Sequence, residues 1–184
     1  MRKIIGVLLV TFGVAAYGAP AKDACLAQIP EQLNASLKQK YPGYRPPRTT
    51  DNLAEDIEWN IKDGGKGCLG VAVADFDGDG SKDFLLGLTS LSGEGALVIV
   101  AFSRGSAWDF HTLDSWKDGR VRLYVAAKKP GRFKRTESLD GPLEKGEKET
   151  MICTNWGALF GATESSGVVY CFAKGKWHHV WVSD

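Results

Sequence analysis

The chain has 184 residues, with 23 basic side chains against 22 acidic ones and a formal charge of +1, so no bulk charge draws it to nucleic acid or to an anionic membrane. Hydrophobic residues make up 43% of it and charged residues 24%, a balance that excludes a disordered chain and allows one hydrophobic core.

Residues 1–21 open with Met1, Arg2 and Lys3, continue with an almost wholly apolar run over 4–14, and close on small residues. This is the order of a secretory signal, with cleavage expected after Gly18 or after Ala21. The apolar run is too short to span a bilayer. Without Arg2 and Lys3 the chain is formally near −1, and residues 22–184 read as a single domain, periplasmic or secreted, with no further transmembrane segment.

Cys25, Cys68, Cys153 and Cys171 all lie beyond the signal. An even number at wide, irregular spacing in an exported chain favours disulfides over a metal cluster. Three pairings are possible on paper. Cys25 with Cys68 and Cys153 with Cys171 are favoured, because the first ties the N-terminal region to the first strand and the second staples two C-terminal strands.

Residues 29–41 take a helical period, with Pro30 at the first turn, Leu33 and Leu37 on one face and Pro42 as the stop. The Pro-rich connector 41–47 reads as extended. Asp51 is placed to cap a second short helix that carries Leu53, Ile57 and Ile61 on one face and ends at Gly64 and Gly65. Its acids Glu55, Asp56 and Glu58 read as a solvated face near a helix N-terminus.

Residues 71–88 read as strand, loop and strand, and the loop alone has chemistry written into its spacing. Asp75, Asp77, Asp79 and Asp83 fall at positions one, three, five and nine, where a hard cation takes oxygen ligands, and Ser81 offers its backbone carbonyl at position seven. Gly78 and Gly80 allow the sharp bend. Four carboxylates within nine residues repel one another unless a cation compensates them, which argues against a plain turn. An EF-hand needs a glutamate at position twelve and flanking helices, whereas Leu86 stands there between β-type flanks.

The run Asp75-Phe-Asp-Gly-Asp-Gly-Ser-Lys-Asp83, with the apolar residues 84–86 and Gly87 after it, resembles the calcium loop of FG-GAP and VCBS repeats, found in integrin α-chain propellers. The resemblance implies Ca2+ as the cofactor, Asp75, Asp77, Asp79 and Asp83 as side-chain ligands and Ser81 as a backbone ligand. It covers one loop, and no second copy follows, so it supports the site without implying a propeller.

Beyond the loop, residues 96–102 form a buried central strand by their apolar, β-branched content. Residues 108–116 and 121–126 read as a hairpin about the Asp118–Gly119 turn, and 168–172 with 177–182 as another about Lys174 and Gly175. The basic stretch 128–135 reads as an exposed loop that keeps an edge from pairing, and 140–148 as turn-like and mobile. Of the three histidines, His178 and His179 are neighbours on a strand and point to opposite faces, so they do not share an ion. Trp177 and Trp181 share a face and read as core. The sum is an α+β fold, a mostly antiparallel sheet with two N-terminal helices.

The last residues, from Tyr170 through Gly175, Lys176 and Trp177 to the end, are similar to the close of a loose group of small exported bacterial proteins that carry one Asp-rich loop early in the chain. That likeness implies an exported single domain and lends no activity. No nucleophile elbow, zincin motif or phosphate loop appears, so the chain leans away from catalysis. The expectation is an exported calcium-binding domain that acts as a binding or interaction protein of the cell envelope, on a protein or a polysaccharide. The alternative is a hydrolase of an envelope polymer.

Overall fold

Successive side chains of a strand point to opposite faces, so an unbroken apolar run needs a core on both sides. In a computed structural model that describes residues 22–117, 122–162 and 166–183, two such runs lie at the centre. The expected signal segment 1–21 and the Asp118–Gly119 turn lie outside the described residues. In chain order the strands are β1 (Tyr44–Arg45), β2 (Val71–Ala74), β3 (Asp83–Ser90), β4 (Ala96–Arg104), β5 (Ala107–Trp116), β6 (Leu123–Lys128), β7 (Gly131–Lys134), β8 (Thr150–Cys153), β9 (Gly157–Ala162), β10 (Gly167–Ala173) and β11 (Lys176–Ser183). Two helices, α1 (Glu31–Lys40) and α2 (Ala54–Lys62), precede β2.

The first sheet runs β1-β3-β4-β5, with β2 also paired to β3, and the second runs β11-β10-β9-β6; β7 and β8 form a separate pair. Each of these strand pairings is antiparallel. The alternation along β3 and β4 sorts the core into layers. Phe84, Leu86, Leu97 and Ile99 face Leu33 and Leu37 of α1, while Leu85, Val98, Val100 and Phe102 face Val125, Phe160 and Val168 of the second sheet. On the far side of that sheet, Leu159, Val169 and Val180 pack against Met151 and Cys153 of β8. Burying each of these large side chains contributes about 1.5–3 kcal/mol.

Both disulfides join layers. Cys25 is bonded to Cys68 and Cys153 to Cys171, with Cα separations of 5.0 and 5.5 Å, the pairing that the positions in the chain favoured. The first holds the segment before α1 against the entry to β2, and the second holds β8 under β10.

The expected α+β class is overturned. Of the described residues 44% are strand and 16% helical, and the two helices form no layer of their own. Only α1 buries a stripe, Leu33 and Leu37; α2 has no buried residue, and its Ile61 is 56% exposed. The fold is β-rich, two facing sheets with one short helix laid on the outer face of the first. The helical spacing of Leu53, Ile57 and Ile61 is real, but both faces of β3 and β4 are already covered elsewhere. Leu53, not Asp51, stands at the N-terminus of α2. Asp51 instead accepts from the Arg48 N–H and pairs with the Arg45 guanidinium at 2.6 Å.

The expected hairpin between residues 108–116 and 121–126 is also absent. β5 pairs with β4, and β6 with β9, so the chain passes from one sheet to the other there. The closing hairpin forms as expected, β10 on β11, with Lys174 and Gly175 at φ 51° and 75° in its turn. The basic stretch 128–135 is mostly strand rather than loop, and Arg135 pairs with a buried Glu147 of the turn-like segment 140–148 at 2.8 Å. No helix among the described residues is long and apolar enough to cross a membrane.

Candidate metal centre

The acidic loop joins β2 to β3, and the pairing of Ala74 with Asp83 closes it at the base. Two residues with left-handed backbone make the bend, Gly78 at φ +82° and Gly80 at φ +86°. Gly78 meets a second requirement as well: a Cβ there would lie 2.7 Å from Asn155 Oδ1, because the turn before β9 closes over the loop. The Trp156 N–H reaches the Asp75 carbonyl from the same turn.

Backbone N–H groups of the loop point inward at its carboxylates. Asp75 accepts from Gly78 at 2.7 Å and from Gly80 at 2.9 Å, Asp77 from the Asp79 N–H at 3.2 Å, and Asp79 from the Ser81 N–H at 2.7 Å. Asp83 is fully buried and accepts from the Phe76 and Ser103 N–H groups, each at 2.9 Å. It thereby ties the loop to the end of β4. Burial pushes its carboxyl up to about 6 against the pull of those two N–H groups, and the charges of Asp77 and Asp79 add to the rise.

One oxygen from each of Asp75, Asp77 and Asp83 lies within 4.8 Å of the others. Three hard carboxylate oxygens converging from one loop are a donor set that can hold a metal ion. Asp79 stands outside that set. The Ser81 N–H holds its carboxyl low, desolvation opposes it, and the Ser81 side chain and the Arg104 guanidinium hold it lower still. Ser81 enters the network through this N–H.

Arg104 and Asn155 were not foreseen from the sequence. Arg104 lies on β4, where the pairing of Phe84 with Ala101 carries the following residues past Asp83 to the loop. Its Nη2 is 2.6 Å from Asp77 Oδ2 and its Nη1 is 2.8 Å from Asp79 Oδ2. The available signal was a lone arginine ending a long apolar strand, and only the strand register turns that into a position.

The remaining candidates are structural. His179 is buried and stacked on Tyr170 with ring centroids 4.8 Å apart, whereas His178 is half-buried on the opposite face. His111 sits among Phe102, Phe172 and Trp177 and meets Asp109 at 3.1 Å. Trp177 and Trp181 pack, partly buried, against the core between the sheets. No protein-family model, no curated protein and no solved structure matches the chain.

Proposed function

We propose that this chain is an exported calcium-binding domain that acts as a binding or interaction protein of the cell envelope, with the ion in a structural role. The reading rests on one observation above all, the convergence of Asp75, Asp77 and Asp83 to within 4.8 Å at a turn closed by Gly78 and Gly80. Bound there, the ion supplies charge compensation. The all-oxygen donor set suits a hard cation, and a loop of irregular geometry suits Ca2+, which accepts varied coordination, better than Mg2+, which demands a near-ideal octahedron. The likeness to FG-GAP and VCBS loops adds Asp79 and the Ser81 carbonyl as further ligands. Two disulfides are compatible with export to an oxidising compartment, where extracellular calcium modules bind at about 10⁻⁴ to 10⁻³ M.

The alternative of a hydrolase has less support. It asks for a cleft beside the loop that carries a nucleophile or base; two clefts among the described residues, of about 540 and 480 Å³, flank α2, lined by Trp59 and Tyr124 in one and Thr49 and Ile57 in the other. A partner of the envelope, protein or polysaccharide, accords with the near-neutral charge.

The direct test is calorimetric titration of the metal-free, oxidised protein with Ca2+ and, separately, Mg2+. One calcium per chain, bound more tightly than magnesium, is the expected result. Absence of saturable binding at millimolar calcium would overturn the reading.

A further inference from the structure

Arg104 already places a cation on the loop. Its guanidinium bridges Asp77 and Asp79 through two short charge-assisted bonds of 2.6 and 2.8 Å. Asp77 belongs to the converging set and its side chain is only 7% exposed, while the Arg104 side chain remains 39% exposed over the face of Phe102. The arginine can therefore leave the pair and stay solvated, but the aspartate cannot.

A divalent ion in the set and a guanidinium on the same carboxylate repel each other across a few ångströms. Asp79, held by Arg104 through Oδ2, stands outside the converging set. Resting on the calcium reading above, we propose that Arg104 is a resident counter-cation: it neutralises Asp77 and Asp79 in the ion-free loop, and calcium displaces it and releases Asp79 into the ligand set. The arginine thus sets the calcium affinity from outside the ligand sphere. It lowers that affinity, keeps four neighbouring carboxylates tolerable without metal, and couples ion occupancy to the tip between β4 and β5, where Arg104 sits.

The proposal makes two predictions of opposite sign for one substitution. Arg104→Gln should bind Ca2+ about three- to ten-fold more tightly than the parent at low ionic strength, the scale of two partly exposed ion pairs. In chelator the same variant should unfold at a lower temperature than the parent, because the carboxylates lose their counter-charge. Arg104→Lys, which keeps the charge but not the fork, should fall between them in affinity. Calorimetry of the three proteins and their thermal unfolding in chelator read both effects. A residue that only supports the fold would change the unfolding and leave affinity untouched or weaker, and that result overturns the proposal. Calcium binding by Arg104→Gln but not by the parent would overturn displacement, because no calcium then enters the parent's loop. If neither binds, the calcium reading itself falls and takes this proposal with it.

Discussion

Gly78 and Gly80 have nearly the same backbone, φ +82° and +86°, but different surroundings. A Cβ on Gly80 meets nothing within 4 Å, while one on Gly78 meets the Asn155 carboxamide at 2.7 Å. Gly80→Ala should cost about 1 kcal/mol, the penalty of left-handed backbone for an L-residue. Gly78→Ala should cost about 2–3 kcal/mol once the clash is added. Urea unfolding of the metal-free variants separates the two, and equal costs would mean that the 155–156 turn does not press on the loop. At this scale the sequence was informative wherever the requirement was local. The aspartate spacing and the two glycines are properties of nine consecutive residues. Arg104 and Asn155 reach the same loop only through strand register and layer packing, which no short window contains.

Among elements, the segment between β7 and β8 depends on one buried pair. Glu147 accepts from Arg135 Nε at 2.8 Å and from the Glu144 N–H at 2.7 Å, and the backbone of the segment bonds to β11 at His179. Burial works to raise the Glu147 carboxyl, but the Glu144 N–H and the Arg135 guanidinium outweigh it and hold the carboxyl below its usual range. Burial likewise depresses His179, against the charges of Glu147, Glu144 and Asp114.

Both groups bind fewer protons folded than unfolded, so stability rises with pH across their windows. The His179 contribution is complete above about 6.5 and is lost from there down to its own depressed value; the Glu147 contribution is complete above about 4.5 and is lost below it. Glu147→Gln leaves Arg135 with an uncompensated charge at a site where its side chain is 11% exposed and should cost about 3 kcal/mol at neutral pH. It should also flatten the acid limb below pH 4.5 in a series of urea midpoints, and an unchanged limb would contradict the assignment. This pair was invisible in the sequence for the same reason as Arg104: twelve residues separate Arg135 from Glu147, and the stretch between them reads as polar turn. β3, β4, β10 and β11 were legible because alternation or an unbroken apolar run states their burial directly. α2 was legible as a helix from its period and its Gly64–Gly65 stop, although its cap is Leu53 rather than Asp51; a helical period fixes a face and not what covers it. The β5–β6 hairpin was misjudged because turn chemistry between two strands does not say whether they share a sheet.

For the whole molecule, the layers are held by apolar contact and by two cross-links that close 43 and 18 residues of chain. On loop length alone, removing Cys25–Cys68 should cost about 4 kcal/mol and removing Cys153–Cys171 about 3 kcal/mol. Paired Cys→Ala variants followed by urea unfolding check the order; the reverse order would show that packing rather than chain entropy sets their worth. The expected class failed at this scale alone. Helical stretches can be counted in a sequence, but whether they add a layer depends on how the sheets share the core, and here the two sheets face each other.

The central claim is that the loop between β2 and β3 binds calcium and that the ion stabilises the fold. Thermal unfolding of the oxidised protein in calcium and in chelator, beside the Asp77→Ala, Asp79→Ala double variant, tests it most directly. At ten times its dissociation constant the ion should stabilise the parent by about 1.4 kcal/mol, a shift of about 4 °C for a domain of this size, and leave the double variant unmoved. Equal midpoints for the parent with calcium and with chelator would contradict the account.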